Sequence, residues 1–474
     1  MSTEDTPVDT AATNAYAQHL AAVNASVGGV RANGDVYSVH GVLICRKGAA
    51  IDYDTARKIV RHKLTMPLDK SVELENAISA SGLLRRFEDV LEKFSDVRTA
   101  HETLELHRLF SVVATKLTLP PLIAQKLTVM RLRQGELTDQ TLLGAWCATA
   151  IARELDLEEK EIALVYLAAI CRDLGMLHID PKLINRPTKT LYGPDEWKTL
   201  QSHVVASHMI LKECDGIPDR LPEAVIQHHE NVDGTGYPSN FMGEELGLMG
   251  QILSVADTVA ALRIRRFQGT GRNIRDVQSI LHIDSDAYLT EVHSAAVRVL
   301  ARSGVSKTRF HDFENRDRLV RTLHRRARAM VSCGGMLEDM PALFSAEAEK
   351  RLALRVLSTF IERLANTFAR SGLGDGELVK WLGRVADNDD EASLELLSEV
   401  DLQQRELLWQ FRRLKLHLAA YTEKEKMQNR GPVRLMVERM DNFFEQLENK
   451  PSVTGTEVPD ASGAGSGIDA DDAA

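Results

Sequence analysis

Two adjacent imidazoles mark where this chain can do chemistry. His228-His229 run into Glu230-Asn231-Val232-Asp233-Gly234-Thr235-Gly236-Tyr237-Pro238, an acidic, glycine-rich loop that closes on Tyr-Pro. Imidazole is the commonest protein metal ligand. Consecutive side chains on a helix diverge by about 100°, so neighbouring His residues reach one ion only near a helix end, or reach two points of one cluster. Gly234 and Gly236 permit close backbone approach, and Pro238 fixes the exit. The alternative is a pair of satisfied core histidines ahead of an ordinary Asp-Gly turn. Asp173, His203 and Asp257 extend the set, each near the end or inside of a separate apolar run. Three neutral imidazoles with two carboxylates form a hard-to-borderline donor set suited to iron, manganese or zinc. Arg172-Asp173 follows a strongly apolar stretch, where charged groups are costly unless paired or bound to metal.

The elements that must position these groups read as helices. Leu137 to Leu155 and Glu161 to Leu174 are two; the second, with Ile162, Leu164, Val165, Leu167, Ile170 and Cys171, is apolar nearly all round and therefore central. Pro194-Asp195-Glu196 suits a first helical turn, and that helix runs to about Cys214 carrying His203 and His208. Asp219 and Pro222 open the next, which ends at the His pair. Gly247 to Arg266 is another, with Asp257 among Ile252, Leu253, Val255, Ala256 and Val259. The predicted class is mainly α. His178 and His208 read as structural or exposed. His311-Asp312 follows a polar stretch, and Asp387 leads into Asn388-Asp389-Asp390, so neither continues the set.

The string His228 to Pro238, with Cys171 to Gly175, Arg186-Pro187, Glu196 to Leu211 and Ile252 to Leu262, resembles the HD-GYP family of bacterial HD phosphohydrolases that act in cyclic di-GMP signalling. The likeness covers roughly residues 135 to 268. It implies a helical bundle holding a two- or three-metal site, with Asp173, His203, His228, His229 and Asp257 as ligands and Asp173 beside the reacting water. It also implies substrate contacts from Arg186, Asp233, Gly234, Gly236, Tyr237 and Arg266, with Arg265 beside them.

Four positions depart from the family pattern. The name-giving His is Arg172, an expected Lys is Met176, an upstream ligand His falls near Gln140, and a second Asp is Ala260. Asp173 with the three His can still make one metal position, whereas the second is expected to be lost. A guanidinium cannot ligate metal but binds carboxylates bidentately, so Arg172 is expected either to pair with Asp257 or Asp173 in place of an ion, or to sit solvated at a helix end. The resemblance then leaves three functions open: a nucleotide- or partner-binding regulator with impaired hydrolysis, an active metal-dependent cyclic di-GMP phosphodiesterase, or a scaffold with no metal at all.

Around this region, residues 1–30 are rich in Ala, Thr, Ser and Asn and are expected to be mobile. Residues 31–80 read as a small mixed module with short strands at Val36 to Val39 and Val42 to Ile44, then a helix from Tyr53 capped by Asp52. Residues 81–134 are a helical connector, 135–284 the domain proper, 285–448 a helical C-terminal domain suited to partner docking or a homodimer, and 449–474 an acidic disordered tail. A net charge of −10 and basic residues without interleaved aromatics argue against nucleic acid. Five scattered cysteines argue for reduced thiols and a cytoplasmic protein. No apolar run approaches the roughly 18 residues of a membrane span.

Overall fold

A computed structural model describes residues 10–184, 192–308, 313–348, 352–385, 391–424 and 431–448. Helix dominates, as the Leu- and Ala-rich composition requires. After α1 (Thr10–Val27), β1 (Val30–Ala32) pairs antiparallel with β4 (Val72–Leu74), and β2 (Val36–Tyr37) with β3 (Leu43–Cys45). Between β3 and β4 lies α2 (Tyr53–Val60), where the Asp52 carboxylate accepts from the Thr55 amide at 2.7 Å as the predicted N-cap. Helices α3 (Ala80–Lys93), α4 (Ser95–Thr103), α5 (His107–Lys116) and α6 (Pro121–Arg133) lead to α7 (Gly135–Glu154) and α8 (Glu159–Cys171). Then come α9 (Pro181–Ile184), α10 (Pro194–Lys212), α11 (Arg220–Ile226), α12 (Leu248–Ala261), α13 (Val277–Ile283) and α14 (Thr290–Ala301). The C-terminal helices are α15 (Phe313–Ala348), α16 (Leu352–Ser371), α17 (Gly376–Val385), α18 (Glu391–Lys424) and α19 (Gly431–Glu448).

The core is built on α7, in which every residue from Leu137 to Ala152 is buried. Such a helix has no solvent face, so its neighbours α8, α12 and α14 must wrap it. Charge ties hold the connector to this centre. Asp139 takes Arg86 and Lys93 at 2.5 and 2.7 Å. Asp96 accepts from both Nε and Nη2 of Arg263, at 2.7 and 2.8 Å, and from the Ile274 amide. None of the described helices is long and apolar enough to cross a membrane. Cys45, Cys147 and Cys171 are buried thiols.

Three features bear on the organisation. Residues Thr10–Val27 form α1, with Tyr16, Ala17, Leu20, Ala21 and Val23 buried against α2, α6 and the turn Leu174–His178. Composition alone undervalues such a helix, whose stability comes from tertiary packing. The mixed module has no core of its own, because Val30, Ile51, Ile59 and Val72 join the same apolar cluster as α7. Val292, Ala295, Val299 and Leu300 of α14 also belong to that first core. The second core gathers Leu357, Phe360, Ile361, Leu364, Leu407, Phe411 and Leu414 from α16 and α18. The tail 449–474 and residues 1–9 lie outside the described residues.

Buried histidines away from the glycine-rich loop give the fold an acid liability. Burial, reinforced by Arg133 and Lys126, holds His19 down at about 4, and burial with His107 nearby does the same to His101. In the unfolded chain both titrate near 6.5. Acidification therefore protonates the unfolded chain first, and stability should fall as pH drops from about 6.5 to about 4, then level off. Urea midpoints measured at pH 7 and 5 should show the decrease, and His101→Phe, placed against Phe87 and Phe110, should flatten it.

Candidate metal centre

Each predicted site residue sits at an element boundary or on an inward face. Asp173 follows α8, His203 lies in α10, His228 and His229 form the turn after α11, and Asp257 lies in α12. The local chain sets the imidazole tautomers. His203 Nδ1 donates to the Leu200 carbonyl and His228 Nδ1 to the Val225 carbonyl, each at 2.6 Å. A carbonyl only accepts, so both protons are on Nδ1 and both Nε2 lone pairs face inward, buried and unpaired.

These lone pairs converge. Ligand atoms of His203, His228 and His229 lie within 4.8 Å of one another. Asp173 Oδ1 stands 3.6 Å from His203 Nε2 and 3.9 Å from His228 Nε2. Burial holds the His228 imidazole down at about 4, so it is neutral and able to donate its lone pair. Burial, with the His228 ring beside it, likewise holds His229 well below its ordinary value. Stranded acceptors on two imidazoles are costly in a dry interior, and with Asp173 Oδ1 beside them a divalent cation is the group this donor set fits.

The other carboxylate is engaged differently. Arg172 is buried, not solvated, and all its guanidinium nitrogens have acceptors. Nε and Nη2 donate to Asp257 Oδ1 at 3.1 and 2.9 Å. Nη1 donates to the carbonyls of Ala169 and Thr141, and Nη2 also to that of Gln140. Nε lies 3.1 Å from Asp173 Oδ2 as well, an ion pair whose N–H is aimed at Asp257. Gln140 adds a third donor to Asp257 Oδ1, at 3.1 Å. Burial works against the Asp257 carboxylate, yet Arg172 and the two imidazoles outweigh it and keep the carboxyl below its ordinary range. Burial also opposes the Arg172 charge, and Asp173 and Asp257 outweigh it.

Gly144, one turn from Gln140 on α7, makes the room. A Cβ there would come within 2.7 to 2.9 Å of three guanidinium atoms. Gly144→Ala should therefore cost about 1–3 kcal/mol as overpacking, read as a lower urea midpoint with an unchanged slope. The spacing of Gln140 and Gly144 was visible in the sequence, but nothing there linked it to Arg172.

The glycine-rich loop closes beside the cluster. Glu230, fully buried, accepts from the amides of Ser239 and Phe241 at 2.6 and 3.3 Å. Gly236 passes so close to His229 and Glu230 that any Cβ would clash with their backbone. Tyr237 stacks on His229 with ring centroids 4.8 Å apart, and Trp197 meets its edge. Asp233 Oδ1 accepts from the amide and hydroxyl of Thr235. Met176 is partly buried in the turn after Asp173, and Ala260 is buried in α12.

Other expected contacts lie elsewhere. Arg266 donates to Glu406 of α18, so its guanidinium is committed to the C-terminal helices, and Arg265 lies 3.8 Å from Glu136. His208 donates to the Pro222 carbonyl, and His178 pairs with Lys126 and Asp69, both as structural groups. Arg186, His311, Asp312 and Asp387 fall outside the described residues. One loop partner went unread in the sequence: Arg363 of α16, whose Nη1 reaches Thr235 and Asp233, each at 3.0 Å.

Residues 118–288 match a family model described as an HD domain. The chain is 32% identical over 116 residues to the 3'3'-cGAMP-specific phosphodiesterase 3 of Vibrio cholerae, covering 24% of this chain and 25% of that protein. It is 27% identical over 219 residues to the cyclic di-GMP phosphodiesterase PA4108 of Pseudomonas aeruginosa, covering 44% and 52%. It is 30% identical over 119 residues to the cyclic di-GMP phosphodiesterase response regulator RpfG of Xanthomonas campestris pv. campestris, covering 24% and 30%. The chain thus spans between a quarter and about half the length of these relatives.

Proposed function

Residues 118–288 belong to the HD-GYP branch of the HD domain family, and from that premise we propose that the chain is a degenerate member. In this reading it is a cytoplasmic regulator in cyclic di-GMP signalling that binds the cyclic dinucleotide, or a partner, and hydrolyses weakly or not at all. The observation that carries the reading is the commitment of Asp257 Oδ1 to Arg172 and Gln140. Those three N–H groups fill Oδ1, so Asp257 keeps only Oδ2, 4.0 Å from His229 Nε2, for a cation and cannot bridge two.

The remaining residues support a single ion held by His203, His228, His229 and Asp173. When bound, a divalent cation supplies Lewis acidity toward a phosphodiester and toward water. Symmetric charge stabilisation on the attacking and leaving oxygens needs two ions about 4 Å apart, and the Arg172 guanidinium stands in the way of the second. Its positive charge, fixed against Asp257 and Asp173, replaces the electrostatics of an ion without its coordination. The ordered loop from Asp233 to Tyr237 remains available to cradle a nucleotide.

A competing reading, a working phosphodiesterase on one ion, is favoured by the intact cluster of unpaired Nε2 atoms. Metal analysis combined with hydrolysis assays on cyclic di-GMP and its linear dinucleotide product separates the two. Metal-bearing protein that binds cyclic di-GMP calorimetrically without turning it over is the expected result. Turnover abolished by His203→Ala would overturn the regulator in favour of the enzyme.

A further inference from the structure

Where the C-terminal helices meet the HD domain, a seam of polar pairs runs beside the apolar contacts of Leu402 and Ile283. Arg272 pairs with Asp401 at 3.1 Å, Lys307 with Glu399 at 2.9 Å, and Arg370 with Asp286 at 2.6 Å. Arg266 reaches Glu406, and Gln410 donates to Asp284 at 2.5 Å. Interfaces of this kind resemble those between domains that shift relative to one another more than a shared core. One contact of the seam falls on the glycine-rich loop.

We propose that Arg363 is a positioning residue for that loop, so that docking of α16 makes the C-terminal helices part of the candidate site. Three observations carry this. First, within the HD domain Asp233 uses Oδ1 to close the turn onto Thr235, while Oδ2 is buried and lacks a hydrogen bond. Its charge is met by Arg363, from outside the domain, at 3.0 Å. Second, the same guanidinium nitrogen donates to the Thr235 hydroxyl, which also accepts from Asn231 Nδ2 at 2.9 Å, so a single group binds both arms of the turn. Third, both partners are shielded, with side-chain exposures of 12% for Arg363 and 15% for Asp233, so water screens the pair little. The loop continues two residues on to Tyr237, whose ring lies on His229 of the cluster and whose amide donates to the His229 carbonyl at 3.1 Å. Loss of Arg363 would strand the Asp233 carboxylate in a dry turn, and the turn must open to rehydrate it.

This deepens the reading above, since it rests on the loop being the part of the site that faces a nucleotide. The decisive measurement does not need that ligand. Amide hydrogen exchange on the full chain compares wild type with Arg363→Gln and with Arg370→Gln, which removes another seam pair on the same helix but does not touch the loop. Exchange of the amides from Asn231 to Phe241 should rise by about tenfold or more in Arg363→Gln, with α7 amides unchanged, and stay at the wild-type rate in Arg370→Gln. Arg363→Lys should recover part of the protection, because an ammonium meets the Asp233 charge but sits on a shorter stem without the fixed plane that aims Nη1 at the turn. Wild-type loop exchange in Arg363→Gln would overturn the proposal. So would an equal rise in Arg370→Gln, which would make the effect one of docking in general. If Arg363→Gln fails to unfold cooperatively, Arg363→Lys carries the comparison, and full wild-type protection together with full ligand affinity there would overturn the need for a guanidinium at this position. Calorimetry with cyclic di-GMP runs alongside: absence of heat in wild type would overturn the nucleotide reading and leave Arg363 to be decided by exchange.

Discussion

Protein purified without chelator is expected to carry about one divalent ion per chain, and His203→Ala to lose it. Removing even an outer-shell partner of a metal ligand typically costs about 10–100-fold in affinity, so loss of a ligand should exceed that. The expectation rests on a specific arrangement. The carbonyls of Leu200 and Val225 hold the Nδ1 protons of His203 and His228, which leaves two inward Nε2 lone pairs and a buried Asp173 oxygen without aligned donors. Elemental analysis reads the stoichiometry directly. A melting shift on adding metal, present in wild type and absent in His203→Ala, provides a second reading by linkage. Metal-free wild type with no melting response would remove the ion from the proposed function and favour a pure scaffold. Asp257→Asn separates the two carboxylates: with Oδ1 serving Arg172 and Gln140, only Oδ2, 4.0 Å from His229 Nε2, faces the cluster, so metal affinity should fall less than in His203→Ala.

Removal of Arg172 should have the largest effect on folding. Arg172→Ala leaves Asp257 and Asp173 buried side by side without their cation, a loss of about 3–5 kcal/mol by analogy with other broken buried pairs. The signature is a lower urea midpoint with an unchanged slope. The sign of a different replacement is more informative. Arg172→His combined with Met176→Lys returns a ligand and a basic group to two of the four positions where this chain departs from the family pattern. If Arg172 displaced an ion, the double variant should hold about two metals per chain and gain hydrolysis of cyclic di-GMP. An unchanged metal ratio would count against the degenerate reading. Gln140 and Ala260 remain in both variants, so a partial gain in metal with little activity would locate the residual defect at those two positions.

Much of the site was legible from residue type and spacing. The His228 to Pro238 string follows α11, Asp173 follows α8, and His203 and Asp257 lie within α10 and α12; periodicity placed α7, α8, α10 and α12 within a few residues of their observed limits. Arg172 at the end of an apolar helix was itself the clue to a guanidinium among carboxylates. Local chemistry of this kind is written in neighbouring residues, since a helical face repeats every three or four positions and a cap needs only its own turn.

Contacts between distant segments were not legible. Nothing near Gly144 says that its missing Cβ makes room for a side chain 28 positions later. Nothing near Arg363 points to Asp233 or Thr235, and α1 reads as a weakly patterned stretch until Tyr16, Leu20 and Val23 find their partners. The sequence by itself determined the likeness to the HD-GYP family, the helical class and the set of groups proposed to hold a cation. Only the tertiary structure decided that the Arg172 charge faces both carboxylates, and that a helix from outside the HD domain grips its loop. The reason is physical: a buried charge is held by whatever the fold brings within about 3 Å, and that distance is unrelated to separation along the chain.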